Sequence, residues 1–315
     1  MKIAILIATR NRPNELECLL ESILMQSELP AQIVIVSSGK DISYVIQRFE
    51  EELKLDHYHI DGYGQIRQKM FGVQKLSKDT DWVLFLDDDL ILRKNSLEQL
   101  KKSIVELEKG ETYPVIGIGI GIPSTSHLKK ASFEKFIARL FLLDSDRPGA
   151  VLKSGHPVEY LKSEHLVKTD WLNGVSAWRL DACLSYNFDF LDARYSAFED
   201  VIFSYKQRCR GNLVFDPRIV IDMQDSQLTD FSRGDVFQAA SYWRLKFVLD
   251  NEEISKPFFL WSQVGRSFYF IWKGSRSPRA ISKRINIACK VLLEIAFQIA
   301  IKKNANWSLR RHCTI

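Results

Sequence analysis

A run of five apolar residues that ends in three aspartates constrains the fold of this chain more than any other feature. The apolar residues are Trp82–Leu86, and Asp87, Asp88 and Asp89 follow directly. Continuous apolar sequence is typical of a strand that is covered on both faces, as in a parallel sheet. Neighbouring carboxylates at the tip of such a strand repel one another, and a bound cation would offset that cost.

Two interpretations of the aspartates stay open on these residues alone. Side chains alternate along a strand, so an extended chain would direct Asp87 and Asp89 to one side and Asp88 to the other. Hard carboxylate oxygens at an open site suit Mg²⁺ or Mn²⁺, whose coordination substrate phosphates would complete. Alternatively, the three acids form a turn, and their negative charge stabilises the amino-terminal end of the helix predicted near Lys94.

The amino-terminal part of the chain alternates segments typical of strands and of helices. The predicted strands are Lys2–Ala8, Gln32–Val36, Leu55–Ile60 and Trp82–Leu86. The predicted helices are Pro13–Gln26, Asp41–Leu53 and Gln65–Leu76. This order predicts an α/β fold with a mostly parallel sheet flanked by helices. Ligands of such sheets bind beyond the carboxyl ends of the strands, so we expect the segments after the strands to form one site.

Cysteine usage and hydropathy predict a cytoplasmic protein. The five cysteines form no CxxC pair and show no regular spacing, which indicates reduced thiols rather than a disulfide frame or a zinc site. The apolar segment Ile3–Ala8 is too short for the core of a signal peptide. No uninterrupted apolar stretch has the length that a membrane span needs.

Several ordered motifs resemble those of the inverting, family 2-type glycosyltransferases with the GT-A fold, of the bacterial polysaccharide-biosynthesis kind. The matching segments are Ile7–Pro13 (IATRNRP), Gly62–Val73 (GYGQIRQKMFGV), Asp87–Asp89, Asn173–Arg179 (NGVSAWR) and Glu199–Asp200. Members of this family transfer a sugar from a nucleotide-sugar donor. The resemblance implies a GT-A-like domain over residues 1–250, with a helical extension over residues 251–315.

The resemblance implies a donor site built from the first three motifs. The residues implied for the nucleotide-sugar are Thr9, Arg10, Asn11, Arg12, Ser37, Ser38, Arg67, Asp87 and Asp88. The planar fork of Arg67 suits an oxyanion of the diphosphate. Asp87 and Asp89 match the Asp-x-Asp pair of the family, and Asp89 is the first choice for direct contact with Mg²⁺ or Mn²⁺. The metal would neutralise the diphosphate leaving group.

The resemblance also implies an acceptor side and a general base. Asn173, Gly174 and Trp178 would line the acceptor, although Trp178 also suits a buried strand. Asp200 would deprotonate the acceptor hydroxyl, because a sugar hydroxyl is a poor nucleophile until a carboxylate takes its proton. Glu199 completes the catalytic pair. Ser196 and Glu199 also have the spacing of a capping box, and both roles are compatible.

Two departures from the family pattern bear on the donor site. Strand two of the family ends in an acidic residue that contacts the nucleotide base, whereas here Ser37 and Ser38 follow the strand. The family often supplies a histidine to the metal after the last core strand, and this chain has no histidine between His165 and His312. The candidate substitutes are Asp222, Gln224 and Asp225. The chain's histidines show no spacing of metal ligands, so we expect ordinary surface or loop residues.

The carboxyl-terminal part is strongly basic. Residues 256–315 contain twelve Lys and Arg and one acid, so their net charge is +11, which leaves a net charge of −6 for residues 1–255. Pro257–Trp272 is rich in aromatic residues, and Arg284–Lys303 carries one polar stripe on an apolar helix. Such helices suit the headgroup region of an anionic membrane, which predicts a peripheral protein on the inner face of the cytoplasmic membrane. Packing against the catalytic domain or a second subunit is the alternative.

The sequence therefore predicts a metal-dependent inverting glycosyltransferase that acts on a hydroxyl of a glycan or lipid-linked acceptor. A catalytically inactive nucleotide-sugar-binding or scaffold protein of the same fold remains the alternative. A nucleotidyltransferase is disfavoured because no Gly-rich phosphate loop follows the first strand. A nucleic-acid partner is not expected, because the basic tail is an apolar helix with a narrow polar stripe.

Overall fold

The computed structural model describes residues 1–62, 64–110, 113–123, 132–185, 197–224, 232–273 and 277–301. Within them the strands are β1 Ile3–Arg10, β2 Gln32–Ser38, β3 Leu55–His59, β4 Trp82–Asp87, β5 Leu90–Leu92, β6 Val115–Gly121, β7 Val167–Thr169, β8 Ser176–Arg179 and β9 Asn212–Met223. The helices are α1 Pro13–Leu24, α2 Ser43–Gln47, α3 Gln65–Val73, α4 Ser96–Gly110, α5 Ser132–Leu140, α6 Leu180–Leu184, α7 Glu199–Gln207, α8 Arg233–Asp250, α9 Lys256–Trp272 and α10 Pro278–Ile301.

The described strands form one mixed sheet. Its order is β3-β2-β1-β4-β8-β6-β9-β5, with β7 paired to β9. The four amino-terminal strands run parallel to one another, as the alternation of strands and helices predicted. Beyond β4 the sheet becomes mixed, because β8 runs antiparallel to both β4 and β6. The predicted α/β fold with helices around the sheet is therefore confirmed.

The register of the parallel strands brings their polar ends into one row. Thr9 at the end of β1 pairs with Ser37 of β2, and Ser37 pairs with His59 of β3. On the other side of β1, Ala8 pairs with Asp87 of β4. The carboxyl ends of these strands therefore form one edge, which is where ligands of such sheets bind.

Helices cover both faces of the amino-terminal strands. Ile3, Ile5 and Ile7 of β1 enter the main apolar core together with residues of α1, α2 and α4. On the opposite face Gly72 of α3 lies against β1, and a Cβ atom at Gly72 would come within 2.2 Å of Leu6 Cδ1. A glycine is therefore needed at this point, because α3 approaches the sheet so closely.

By its internal contacts the chain divides into two compact units, each made of several segments. The first contains residues 1–126, 160–188 and 203–228, and the second contains residues 127–159, 189–202 and 229–315. The sheet and its core belong to the first unit. The predicted boundary between residues 250 and 251 remains a prediction.

Within the second unit, α10 has a buried and an exposed apolar face. Ala288, Val291 and Ile295 are buried, whereas Leu293 and Phe297 are 73% and 61% exposed. Glu294, one residue of the predicted polar stripe, accepts a hydrogen bond from Tyr242 Oη of α8 at 2.6 Å. Lys302 and Lys303, which flank the stripe, lie outside the described residues. Among the helices described, none combines the length and apolar character that crossing a membrane requires.

Candidate functional site

Asp88 is the buried member of the acidic cluster. Its Oδ2 accepts a hydrogen bond from Thr9 Oγ1 at 2.7 Å, and its Oδ1 accepts one from Arg12 Nη1 at 3.1 Å. Burial raises the pKa of Asp88 to about 6, although the contacts with Thr9 and Arg12 act to lower it. The carboxylate is therefore mainly ionised at neutral pH and has the partners that a buried charge requires.

Arg12 joins Asp88 to Asp89. The same Nη1 donates to Asp89 Oδ2 at 2.9 Å. Burial alone would lower the pKa of Arg12, but the two carboxylates outweigh burial and raise that pKa. The expected alternation of side chains stops at Asp87, because Asp88 and Asp89 lie in the turn between β4 and β5. Two neighbouring acids thus share one guanidinium group, which offsets the repulsion between them.

Asp87 faces α3. Its Oδ1 accepts hydrogen bonds from Gln65 Nε2 and, at 3.3 Å, from Lys69 Nζ. Lys69 Nζ also lies 3.4 Å from the carbonyl oxygen of Gly174. Asp87 Oδ2 makes no hydrogen bond or ion pair within the described ranges, and the side chain is 36% exposed. Sequence reasoning missed Gln65 and Lys69, because helical spacing alone does not reveal which acid a helix faces.

Ser37 and Ser38 occupy the end of β2 where the family has an acidic residue. Ser37 Oγ lies 2.8 Å from His57 Nε2 and 3.1 Å from His59 Nδ1. Burial, and then the neighbouring His59, lower the pKa of His57. His59 is exposed, as expected for a surface residue, whereas His57 is half-buried, and their spacing of two along β3 places both on the face of Ser37. Ser38 Oγ is buried and makes no hydrogen bond in the described part of the chain.

The turns after β1 and β2 interlock. Asn11 has φ 59°, and its Oδ1 accepts a hydrogen bond from the backbone N–H of Lys40 at 2.8 Å. Gly39 has φ +81°, and a Cβ atom there would lie 2.3 Å from Asn11 Oδ1. A glycine is therefore required on both conformational and steric grounds. Arg10, at the end of β1, is exposed beside this turn.

Two residues of α3 approach the sheet edge from the helix start. Arg67 is exposed in the first turn, near Gly62, whose added Cβ would lie 4.0 Å from Arg67 Nη1. Gln68 is buried, and its Nε2 donates to the carbonyl oxygens of Thr9 at 2.7 Å and Val36 at 2.9 Å. Gln68 therefore faces the sheet and holds α3 against β1 and β2.

The structure corrects the acceptor role predicted for Trp178. Its side chain is 2% exposed, and its Nε1 donates to Ser176 Oγ at 2.9 Å. The ring packs edge-on against Phe203 with centroids 4.6 Å apart, and Gly117 of β6 leaves space for it. Trp178 is a core residue because antiparallel β8 directs it inward.

Asn173 and Gly174 precede β8 and are less buried than Trp178. Asn173 Oδ1 accepts a hydrogen bond from Tyr160 Oη at 3.1 Å, and the Asn173 N–H donates to the same hydroxyl at 2.7 Å. Tyr160 thus fixes the turn whose carbonyl, at Gly174, contacts Lys69. Sequence reasoning did not single out Tyr160, which lies outside the motif.

Glu199 and Asp200 form the first turn of α7, in a segment that belongs to the second unit. Asp200 Oδ1 accepts a hydrogen bond from the N–H of Val201 at 2.7 Å. Phe198, directly before the pair, has φ 77°, which is a rare and strained conformation for an aromatic residue. Ser196 of the predicted capping box lies outside the described residues.

The candidates for a further metal ligand have other partners. Asp222 pairs in bidentate fashion with Arg93 at 2.8 Å, which lowers the pKa of Asp222. Gln224 Nε2 donates to the carbonyl oxygens of Glu15 and Leu90. Asp225 lies outside the described residues.

A divalent ion suits this edge only as an open site. Over the described ranges no three His, Cys, Asp or Glu side chains converge on a common point. Asp87 and Asp89 nevertheless offer hard oxygens at the end of β4 and in the turn that follows it. Mg²⁺ and Mn²⁺ are commonly held by one or two carboxylates together with substrate phosphates, so the donor set fits a shared site and not a closed one.

Comparison with known proteins agrees with this architecture. Residues 4–156 match the family model described as glycosyl transferase family 2. No curated protein matches the chain. Among solved structures, TarS 1–349 of S. aureus in complex with UDP-GlcNAc is similar with a TM-score of 0.60 and 12% identity, covering 93% of this chain and 82% of that one.

A mannosyltransferase structure gives a similar result. PcManGT of Pyrobaculum calidifontis, in complex with GDP-Man and Mn²⁺, has a TM-score of 0.53 and 11% identity, covering 96% of this chain and 88% of that one. At these identities the structures support the fold, and the family model supports the activity. A domain that matches the family 2 glycosyltransferases therefore covers residues 4–156, and the chain is a glycosyltransferase with a GT-A-like fold.

Proposed function

We propose that this glycosyltransferase is metal-dependent and inverting, and that its donor is a nucleoside-diphosphate sugar. The proposal rests on the row of polar groups at the ends of β1, β2 and β4. Asp87, Asp88 and Asp89 follow at the end of β4, where Thr9 of β1 bonds Asp88. TarS has been solved with UDP-GlcNAc and the mannosyltransferase with GDP-Man and Mn²⁺, which supports a diphosphate donor and a divalent ion.

The donor would lie along the edge of the sheet. Within the described residues the buried hydroxyl of Ser38 makes no hydrogen bond, so it could bond the base or ribose, and Arg10 is its register partner on β1. Arg67, at the start of α3, would contact the diphosphate together with the amide dipoles of the helix. Thr9 and Arg12 would position the turn that carries Asp88 and Asp89.

Asp87 and Asp89 are the carboxylates that would hold Mg²⁺ or Mn²⁺. When bound, such an ion supplies Lewis-acid neutralisation of the departing diphosphate. Lys69 would hold Asp87 in place through Oδ1, while Oδ2 of Asp87 remains available to a ligand. Arg12 would keep Asp89 oriented at the same edge.

Asp200 would act as general base. Its carboxylate would take the proton of the acceptor hydroxyl as that oxygen bonds to the anomeric carbon of the sugar. The bond from the anomeric carbon to the diphosphate would break on the opposite side, which inverts the configuration. Glu199 would support the helix start and the orientation of Asp200. Asn173 and Gly174 remain the residues proposed to face the acceptor.

Replacing Asp200 tests this assignment. In Asp200→Asn we expect donor binding to persist and turnover to fall by about 10²- to 10⁴-fold, because a positioned base contributes that much. Asp250→Asn is the matched control, since Asp250 forms an exposed pair with Lys246 on α8. A panel of nucleotide-sugars with Mn²⁺ identifies the donor. Turnover that is unchanged in Asp200→Asn would remove the base, and no turnover with any donor would favour the inactive nucleotide-sugar-binding alternative.

We further propose that the acceptor is a glycan or a lipid-linked precursor and that the second unit contacts an anionic membrane surface. Exposed apolar side chains of α9 and α10 line and flank a groove of about 500 Å³. Those that protrude are Trp261, Val264, Phe268, Leu293, Phe297 and Ile301. Exposed basic residues, such as Lys256, Arg279 and Lys283, lie on the same helices. Apolar groups beside basic ones suit an anionic headgroup region.

Liposome co-sedimentation tests the membrane surface. We expect the full chain to bind vesicles that contain anionic lipid, and Leu293→Asp with Phe297→Asp to abolish binding. Both side chains are largely exposed, so the replacements leave the core intact. Tyr113→Asp, at an exposed aromatic residue of the first unit, is the control. Equal binding of all three proteins would contradict the proposal.

A further inference from the structure

Two arginines of the second unit have no acidic partner among the described residues. Arg244 of α8 is completely buried, and Arg266 of α9 is partly buried. In the part of the chain that the structure describes, no carboxylate pairs with either guanidinium group. Buried charges in proteins are normally paired, because an isolated buried ion costs several kcal/mol.

The unpaired atoms of Arg244 form one edge of its guanidinium group. Nη1 is 3.5 Å from Gln263 Oε1, while Nε and Nη2 are buried and make no hydrogen bond to any described residue. Nε and Nη2 are the side-on fork that binds two oxygens of an oxyanion. Gln263 uses its oxygen toward Arg244, so its buried Nε2 is a further donor without a partner.

Neighbouring residues of α9 add more unpaired donors. Arg266 Nε and Ser267 Oγ are buried atoms that make no hydrogen bond within the described ranges. Arg266 and Ser267 follow Gln263 by three and four residues, so all three lie on one side of the helix. Of the five unpaired groups only the hydroxyl of Ser267 can also accept a hydrogen bond. A cluster of donors with two positive charges matches an anion.

Aromatic rings enclose Arg244 without neutralising it. Its Cζ lies 5.6 Å from the ring centroid of Phe198 and 5.9 Å from that of Phe259. Such contacts offset only part of the cost of burial. Burial lowers the pKa of both arginines, and Arg266 lowers that of Arg244 further. Arginine nevertheless stays protonated in proteins, so the two charges need a counter-ion.

We propose that Arg244, Gln263, Arg266 and Ser267 bind a phosphoryl group. Two guanidinium charges match the charge of nearly −2 on a phosphate monoester, and its three oxygens suit donors that come from two helices. A carboxylate has one charge and fewer acceptor sites. Phe198, which covers Arg244, directly precedes Glu199 and Asp200, so an anion here would lie close in sequence to the proposed base. The site itself does not depend on the proposed function.

Phosphate binding tests the proposal without any measurement of turnover. The melting temperature and the calorimetric affinity of the full chain are measured with inorganic phosphate, glycerol 3-phosphate and acetate, against chloride at equal ionic strength. We expect both phosphates, and not acetate, to raise the melting temperature. Tighter binding of glycerol 3-phosphate identifies an esterified phosphoryl group, and tighter binding of inorganic phosphate identifies the free ion.

Variants locate the site. Arg266→Gln should weaken phosphate binding at least about tenfold, because hydrogen bonds to charged groups are strong. Arg233→Gln removes an exposed charge in the same unit and should leave binding unchanged. Arg244→Met should abolish binding. If Arg244→Met does not fold, Arg266→Gln and Ser267→Ala decide the outcome. The proposal is overturned if phosphate acts like chloride, if acetate acts like phosphate, or if Arg266→Gln binds as the wild type does.

Discussion

Gln68 gives the sharpest test of how the sheet edge is held. Its buried Nε2 satisfies the carbonyl oxygens of Thr9 and Val36 at 2.7 and 2.9 Å, at the ends of β1 and β2. Gln68→Leu keeps a similar side-chain volume but takes the buried side-chain donor away from both acceptors. An unsatisfied buried acceptor costs about 1–3 kcal/mol, so the two together cost about 2–6 kcal/mol. Burying the leucine methyl groups returns roughly 1–2 kcal/mol.

We therefore expect Gln68→Leu to lower the free energy of unfolding by about 1–4 kcal/mol. Urea unfolding followed by circular dichroism measures this as a lower midpoint at an unchanged slope. The control is Gln74→Leu, because Gln74 is exposed at the end of the same helix and should change stability by less than about 0.5 kcal/mol. If Gln68→Leu and Gln74→Leu have the same midpoint, the bonds to the two carbonyls do not stabilise the edge.

Three further predictions concern the surroundings of the edge. Gly39→Ala should destabilise the chain by about 1–2 kcal/mol in urea unfolding, because φ is +81° and the new Cβ meets Asn11; an unchanged midpoint would refute this. Iodoacetamide should label exposed Cys18 but not buried Cys183, whose pKa burial raises; equal labelling by mass spectrometry would refute that. His57 has a lowered pKa in the folded state, so the free energy of unfolding should fall as the pH drops below about 6.5. In urea unfolding, His57→Gln should therefore lose less stability than the wild type between about pH 7.5 and 5.5, and an equal loss would refute this.

The fold could be predicted from the sequence because its signals are local. Continuous apolar runs and helical periodicity mark β1 to β4, and the parallel register then brings Thr9, Ser37 and Asp87 to one edge. The turn that carries Asp88 and Asp89 was among the alternatives, while the sharing of Arg12 was not visible in the sequence. Contacts that depend on how a helix packs, such as those of Gln68, need the three-dimensional arrangement.

Residues with an ambiguous pattern account for the remaining differences. Trp178 fits both an acceptor strand and a core strand, and its burial opposite Gly117 of β6 places it in the core. Arg244 follows a tryptophan in an ordinary helical segment, so the sequence does not indicate that its guanidinium group has no described carboxylate as an ion-pair partner. Burial without a partner is a property of packing, and packing appears only in the structure.

Binding of Mn²⁺ tests the central claim most directly. Electron paramagnetic resonance measures free Mn²⁺ as the chain is titrated with and without UDP or GDP. We predict that one of these nucleotides makes the wild type bind Mn²⁺ stoichiometrically, that Asp89→Asn loses this binding, and that Asp222→Asn keeps it, since Asp222 is paired with Arg93. Equal Mn²⁺ binding by Asp89→Asn and the wild type, or none by the wild type with either nucleotide, would contradict the account.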